Sequence, residues 1–400
     1  MRSVLKFGGS SVADLDKMRA IAERLKGRKE SGDELVVVVS AMGKTTNSLV
    51  KMAMEAAKHP SKRELDMILS TGEQISIALL SMILNEMGVS AVSLTGYQAG
   101  ILTEGMHTKT RIKEIDTTTV ERHLAEGKVV VVAGFQGYNE KGEITTLGRG
   151  GSDTTAVALA AMLHCPCEIY TDVDGIYGVD PKLYSKAKKL DSITYEEMKE
   201  MAFLGAKVME PRSVDIAQTY GVVIQVGSAV GTERGTYING GDANMEQRSI
   251  TGLSIAENIM MVTIRNLEGI SESVAEVFSR LAAEEINIDM ISQIPNEDGS
   301  VSLSFTASSD DMENIRQVLN ALFAGNAGVA MDIEKDLIKI SVVGSGMRTQ
   351  TGVAARLFRL LAENHLEFKQ VTTSEISISY TMEKKFRDQT VNLIADQFNL

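Results

Sequence analysis

The chain has 400 residues, 41 Lys+Arg against 53 Asp+Glu, a formal net charge of −12 and 44% hydrophobic residues. That length predicts two or three domains with sizeable cores, and the acidic balance speaks against nucleic acid or an anionic membrane as the main partner. No uninterrupted apolar run of about 18 residues predicts a membrane span, and Met1–Phe7 leads straight into a strand without room for a signal peptide, so a cytoplasmic protein is expected.

Taken in chain order, Val4–Phe7 predicts a strand and Ala13–Lys29 a helix. Leu35–Val39 is a continuous β-branched run, too apolar for a one-sided sheet, and predicts a central strand covered on both faces. Lys128–Gly134 predicts a second such strand, and Glu168–Asp172 and Val222–Val226 are further candidates. Strands separated by helices imply an α/β fold with a mainly parallel sheet, whose ligands sit beyond the carboxyl ends of the strands. Lys6 to Ser11, Ser40, Gly134-Phe135 and Thr171-Asp172 fall there. Cys165 and Cys167 flank Pro166; so close together they would bridge only with strain, and they are expected as reduced thiols.

Two glycine turns carry charged and hydroxyl side chains: Lys6-Phe7-Gly8-Gly9-Ser10-Ser11 and Gly148-Arg149-Gly150-Gly151-Ser152-Asp153. Bare backbone N–H groups before a helical pattern suit phosphates and small acids. Neither turn closes with the Gly-Lys-Ser/Thr of a P-loop. Lys6, beside Gly8 and Gly9, can offset phosphoryl charge. Arg149 can hold a carboxylate bidentately, and Asp153 can hold lysines in place or cap the following helix.

Weaker motifs surround these. Ser40 to Thr46 offers small and hydroxyl residues for a substrate, or a plain turn. Thr71-Gly72-Glu73 is read as opening a helix that runs through Leu80, with Glu73 either complementing the helix dipole or binding an ammonium. Thr171 to Tyr177, followed by Asp180-Pro181-Lys182, superficially resembles a calcium loop but lacks its closing Glu, which favours a nucleotide-site turn. Lys207, in Gly205 to Arg212, reads by itself as a surface lysine.

Glycines 231, 235, 240 and 241, with Asn239, mark a domain boundary between 227 and 242. Beyond it the sequence repeats at an offset of 80 residues, pairing Phe278 with Phe358, Leu281 with Leu361, Ala282 with Ala362, Ile286 with Leu366 and Ile288 with Phe368. The predicted order is strand (Met260–Ile264; Ile338–Val343) then helix (Ser273–Glu285; Val353–Asn364). In the first copy strands Ile286–Ile294 and Ser300–Thr306 and helix Asp311–Phe323 follow. This β-α-β-β-α-β order is ferredoxin-like, and such tandem modules serve dimerisation, effector binding or both.

In this order the motifs resemble the aspartate kinases of the amino acid kinase family over essentially the whole chain. The resemblance implies phosphoryl transfer from ATP to the β-carboxylate of L-aspartate, the first step toward lysine, threonine, methionine and diaminopimelate. It implies that Lys6 and Lys207 contact the phosphates and that Asp153 organises both. Gly8, Gly9 and Ser40 would line the phosphate and acceptor site. Glu73 would bind the substrate ammonium and Arg149 its α-carboxylate, with Thr46, Phe135 and Ser152 nearby. Thr171, Asp172, Tyr177 and Lys182 would shape the nucleotide pocket, Lys182 standing where relatives often carry arginine. Mg2+ is expected on the ATP phosphates rather than at a metal site of the protein's own.

The repeat resembles tandem ACT domains, one inserted within the other. A kinase domain at 1–244 and a regulatory region at 245–400 are expected. The first ACT module would span about 263–335, and the second about 250–262 plus 336–400, with a short strand near Ile250 to Ile255 joining the second. Ser271-Glu272 stands where the family usually has Pro-Gly. Effector residues implied by the resemblance are Asp289, Gln293, Gly352 and Glu375, for lysine, threonine or both. A homo-oligomer through the ACT modules is expected, and an internal start near Met245 would yield a separate regulatory subunit. Other amino acid kinases are rivals within the class; an amino-acid-sensing regulatory protein with an inactive kinase domain is the rival outside it. The tandem repeat disfavours the first, and Lys6, Glu73, Arg149, Asp153 and Lys207 disfavour the second.

Overall fold

The computed structural model describes all residues except 230–233, 242–247, 269 and 327. Gly231, the expected boundary at 244/245 and the proposed start at Met245 lie outside the described residues. The chain divides into two compact units. One comprises Met1–Ile176, Lys189–Ala202 and Lys207–Met245; the other comprises Tyr177–Lys188, Phe203–Ala206 and Glu246–Leu400.

The first unit runs β1 (Arg2–Phe7), α1 (Leu15–Glu30), β2 (Glu34–Val39), α2 (Thr45–Ala56), α3 (Lys62–Glu86), β3 (Ala91–Leu94), β4 (Ile101–Glu104) and β5 (Arg111–Ile115). It continues with α4 (Thr118–Ala125), β6 (Val129–Ala133), β7 (Gln136–Tyr138), β8 (Ile144–Thr146), α5 (Gly151–Met162) and β9 (Cys167–Thr171). It ends with β10 (Ser192–Thr194), α6 (Tyr195–Phe203, whose last residue groups with the other unit), α7 (Pro211–Tyr220), β11 (Ile224–Ser228) and β12 (Thr236–Asn239). The main sheet has the order β10-β12-β11-β9-β1-β2-β6-β3. Its strands from β11 to β3 are all parallel, and β12 is antiparallel to β11.

The alternation of side chains along a strand decides what meets what. Leu5, Phe7, Leu35, Val37, Val39, Val129 and Val131 face one side and form a core with Met18, Ile21 and Leu25 of α1 and Ile77, Leu80 and Leu84 of α3. The intervening residues face the other side, where α5 packs on β1, β2 and β9. Helix α5 is buried from Gly151 to Ala161, and its Gly, Ser, Thr and Ala side chains let it lie close to the sheet. Lys6 is therefore aimed at the start of α5, while Phe7 is committed to the core.

A second sheet, β5-β4-β7-β8, is built from strands of three to five residues that periodicity did not reveal. Helix α3 is long and apolar enough to cross a membrane by length and composition, but half of its most apolar window is buried. Asp66 and Glu73 lie on its buried side, so it is a core helix. Cys165 and Cys167 are both free and buried.

The second unit contains β13 (Gly252–Leu267), α8 (Ile270–Ala283), β14 (Ile288–Pro295), β15 (Val301–Ser308), α9 (Met312–Leu322), β16 (Ala330–Val343), α10 (Val353–Glu363), β17 (Val371–Thr373), β18 (Ser377–Glu383) and α11 (Arg387–Phe398). They form one sheet of order β14-β15-β13-β16-β18-β17. Two ferredoxin-like modules share its central strands. Ile259–Arg265 pair with Leu337–Ala330 in the first, and Gly252–Ala256 pair with Val343–Lys339 in the second. The register shifts between Ala256 and Ile259, beside left-handed Asn258 and Asp336.

The separate strand expected at Ile250 to Ile255 is thus the first part of the longer β13. The cores divide that strand before Met260: Ile250 and Leu253 pack in one cluster, Met260 and Val262 in the other. The expected division after residue 262 is corrected accordingly.

Candidate active site

Lys6 is the last residue but one of β1 and Asp153 lies in the first turn of α5, both about nine-tenths buried. The Lys6 ammonium is 2.5 Å from Asp153 Oδ1, an ion pair by distance whose angle falls outside hydrogen-bond geometry. Gly8 donates its N–H to Tyr170 O at 3.2 Å, and a Cβ on Gly8 would stand 3.5 Å from Lys6 Nζ. Gly9 is needed for close approach: a Cβ there would be 2.8 Å from Ala41 O, and Gly43 donates to Gly9 O at 2.9 Å. The turns after β1 and β2 are thus locked together, with half-buried Ser40 between them.

The helix after the first glycine turn does not offer a free N-terminus. α1 starts at Leu15, and Asp14 caps it by accepting from Lys17 N–H at 2.9 Å. The expectation that the α1 N-terminus faces the anion is corrected, since Asp14 already occupies that end. The second turn does run straight into a helix: α5 begins at Gly151 after left-handed Gly150, without a side-chain cap. Asp153 is therefore within the first turn and not the capping residue.

Glu73 does not open a helix, as expected from sequence; α3 begins at Lys62 with Ser61 as its cap. Gly72 interrupts the helical pattern because a Cβ there would lie 2.8 Å from Ala41 Cβ. This contact brings Glu73 under the loop after β2, where Oε1 accepts from Ala41 N–H at 3.1 Å. Oε2 is buried without a hydrogen-bond partner, and burial raises the Glu73 pKa to about 7. This is an unpaired, desolvated oxygen beside the carboxyl ends of the strands.

Phe135 follows β6 in a left-handed conformation and donates its N–H to Thr155 Oγ1 at 3.1 Å. Gly134 lies against Ser152, where a Cβ would be 2.7 Å from its Oγ. Thr46 is half-buried in the first turn of α2. Arg149 is exposed at the tip of its loop. Behind it, a Cβ on Gly150 would meet Glu210 at 2.5 Å. Burial raises the Glu210 pKa, the Asp153 charge adds to the rise, and Arg212 and Arg149 oppose it.

Thr171 ends β9 and donates to Asp172 Oδ1 at 3.1 Å. Tyr177 and Lys182 belong to the 177–188 segment, which groups with the second unit. Lys182 is exposed, its backbone N–H held by Asp180 Oδ1 at 2.9 Å. Lys207 is exposed and makes no ion pair among the described residues, so the structure brings Asp153 to Lys6 but not to Lys207.

In the second unit, Asp289 lies on β14 and pairs with the buried ammonium of Lys339. Gln293 is exposed on the same strand. Gly352 is left-handed before α10, and exposed Glu375 accepts from Arg348 Nε at 3.0 Å. Among the described residues no hydrogen bond or ion pair joins Asp289 or Gln293 to Gly352 or Glu375.

Sequence reasoning missed the support beneath the Arg149 loop: Asp66, Thr108, Thr146 and Arg212. Arg212 donates to Leu147 O at 2.9 Å and Thr110 O at 3.1 Å. No motif announced these residues, because their partners are distant in sequence.

The family profile described as "Amino acid kinase family" matches residues 1–228, and an ACT domain profile matches residues 340–398. An aspartokinase of Geobacillus stearothermophilus is 48% identical over 99% of this chain and 97% of its own. Aspartokinase 2 of Bacillus subtilis is 45% identical over the same shares. The crystal structure of E. coli aspartokinase III with aspartate and ADP matches with a TM-score of 0.80 at 26% identity, covering 100% of both chains. Its form with lysine and aspartate matches at 0.79 and 26%, covering 99% of each chain. The chain belongs to the amino acid kinase family, among its aspartate kinases.

Proposed function

We propose that this aspartate kinase divides its work between the two glycine turns, as follows. The first turn and Lys6 hold the phosphoryl group being transferred, and Arg149 holds the α-carboxylate of aspartate. The observation that carries the reading is Glu73: a buried carboxylate with one oxygen unpaired is a place for the substrate ammonium, which would repay its desolvation. With both ends of the amino acid held, its β-carboxylate is the free nucleophile.

An oxygen of that carboxylate forms a bond to the γ-phosphorus while the bond to the bridging oxygen of ADP breaks. No covalent enzyme intermediate is needed. Lys6 faces the charge spreading over the equatorial oxygens, and Asp153 holds its ammonium in place. Lys207 has no competing partner among the described residues and could join Lys6 there. Ser40, Thr46, Phe135 and Ser152 line the acceptor side, and Thr171, Asp172, Tyr177 and Lys182 the nucleotide side.

The first turn suits a nucleotide phosphate, since Gly8 presents no side chain beside the Lys6 ammonium and Gly9 lets the turn pack closely on Ala41. Magnesium bound with ATP would neutralise its phosphate charge.

We further propose a cytoplasmic, feedback-inhibited enzyme of the lysine, threonine, methionine and diaminopimelate route. Its kinase domain would end near 244, its ACT modules would bind lysine, threonine or both through Asp289, Gln293, Gly352 and Glu375, and these modules would join copies of the chain. A shorter regulatory subunit would start near Met245. Support comes from the paired modules and from the lysine-bound relative.

The test is acyl phosphate trapping with hydroxylamine in the presence of ATP, magnesium and aspartate, with and without lysine and threonine. Hydroxamate should form, and Arg149→Ala should raise the aspartate requirement far more than the ATP requirement. Folded protein that yields no hydroxamate would favour a sensor with an inactive kinase domain.

A further inference from the structure

Asp66 is fully buried on α3, seven residues before Glu73 and on the same side of the helix. A buried carboxylate is costly unless its oxygens are satisfied. Those of Asp66 are, and their partners come from two chain segments next to the Arg149 loop. Oδ1 accepts from Thr146 Oγ1 at 2.5 Å, and both oxygens accept from Thr108 N–H at 3.1 Å. His107 Nδ1 is 2.6 Å from Oδ2, so the ring nitrogen there donates.

These partners lead directly to Arg149. Thr146 ends β8, three residues before it. Its carbonyl accepts from both the N–H and the Oγ1 of Thr110, at 3.1 and 2.9 Å. Thr108 has φ of 72°, a left-handed conformation that a β-branched residue adopts only when its surroundings impose it. In that conformation the Thr108 N–H is accepted by the Asp66 carboxylate. The carbonyl of Thr108 in turn lies against Gly148, where a Cβ would be 3.1 Å away. Arg212 holds Leu147 O, in the same segment, at 2.9 Å.

We propose that Asp66 is a positioning residue for substrate, one that fixes the Gly148–Arg149 turn relative to Glu73. Helix α3 then acts as a ruler. One buried carboxylate faces the substrate ammonium, and the other sets the loop whose arginine takes the α-carboxylate. The proposal rests on the reading of Arg149 given above.

Asp66→Asn replaces an acceptor with a donor facing the Thr146 hydroxyl or the Thr108 N–H. It should raise KM for aspartate about tenfold or more, with KM for ATP and kcat within about twofold. Thr146→Val should raise KM for aspartate severalfold, and Thr146→Ser, which keeps the hydroxyl, should not. In an Arg149→Ala background, Asp66→Asn should add no further loss, because Asp66 acts through Arg149.

Equal rises in both KM values, a loss confined to kcat, or a full additional loss in the Arg149→Ala background would overturn the proposal. So would Thr146→Val and Thr146→Ser behaving alike, a comparison that remains if Asp66→Asn does not fold. The single Arg149→Ala variant separates the two readings. If it leaves the aspartate requirement unchanged, the role of Arg149 fails; if it raises that requirement while Asp66→Asn does not, only the role of Asp66 fails.

Discussion

Replacing Glu73 with Gln keeps the shape of the side chain and removes its charge. Burial raises the pKa of Glu73 from 4.5 to about 7, worth about 3 kcal/mol at ~1.4 kcal/mol per pH unit. The folded, unliganded protein therefore holds this proton more tightly than the unfolded chain. The contribution is most favourable below pH 4.5, declines as pH rises to about 7, and stays lower by about 3 kcal/mol above that. With the proposed role of Glu73, aspartate binding has the opposite trend, because the ammonium would require the ionised carboxylate. Between pH 8 and pH 6 the apparent KM for aspartate should rise about tenfold, while KM for ATP stays level. Glu73→Gln should flatten the stability profile and gain most over the parent at pH 8 without aspartate. It should also lose at least tenfold in aspartate affinity at that pH. Thermal unfolding across pH 5 to 8, with and without aspartate, reads the first effect, and initial rates read the second. A stability difference independent of pH, or equal losses for aspartate and ATP, would refute the reasoning.

Gly9→Ala puts a methyl 2.8 Å from Ala41 O, a backbone atom that cannot move aside cheaply. KM for ATP should rise at least tenfold with a lowered melting temperature; unchanged kinetics would show that the turn tolerates a side chain. In the second unit, Asp289→Ala would strand the Lys339 ammonium, whose side chain is 6% exposed, whereas Lys339→Met leaves a carboxylate that is 48% exposed. The first should cost about 3 kcal/mol and the second distinctly less. Equal melting shifts for the two variants would contradict that asymmetry.

Much of the fold was legible in the sequence because its signals are local. The runs Leu35–Val39 and Val129–Val132 read as buried strands, the glycine turn beside Lys6 marks a strand end, and the one beside Arg149 precedes a helix. The short strands β4, β5, β7 and β8 carried no such signal, since three to five residues give too little alternation. Gly72 was a local cue that pointed the wrong way. It looked like a helix boundary, but it lies within α3 because Ala41 packs against it. The change of module within β13 was also hidden, because both parts pair with the same strand β16 and only the cluster they pack into differs.

The sequence by itself pointed to the kind of chemistry: a lysine and an arginine, each on a glycine turn, with Asp153 to hold a lysine and a repeated module behind. Tertiary structure decided which of these groups meet. Side-chain alternation along β1, with α5 packed on that face, brings Lys6 to Asp153, and the close approach of α3 to Ala41 leaves Glu73 desolvated with one free oxygen. It also decided that Asp66, which no motif distinguishes, stands beneath the Arg149 turn. Hydrogen bonds and desolvation depend on distance in space, and pattern along the chain encodes distance only over a few residues.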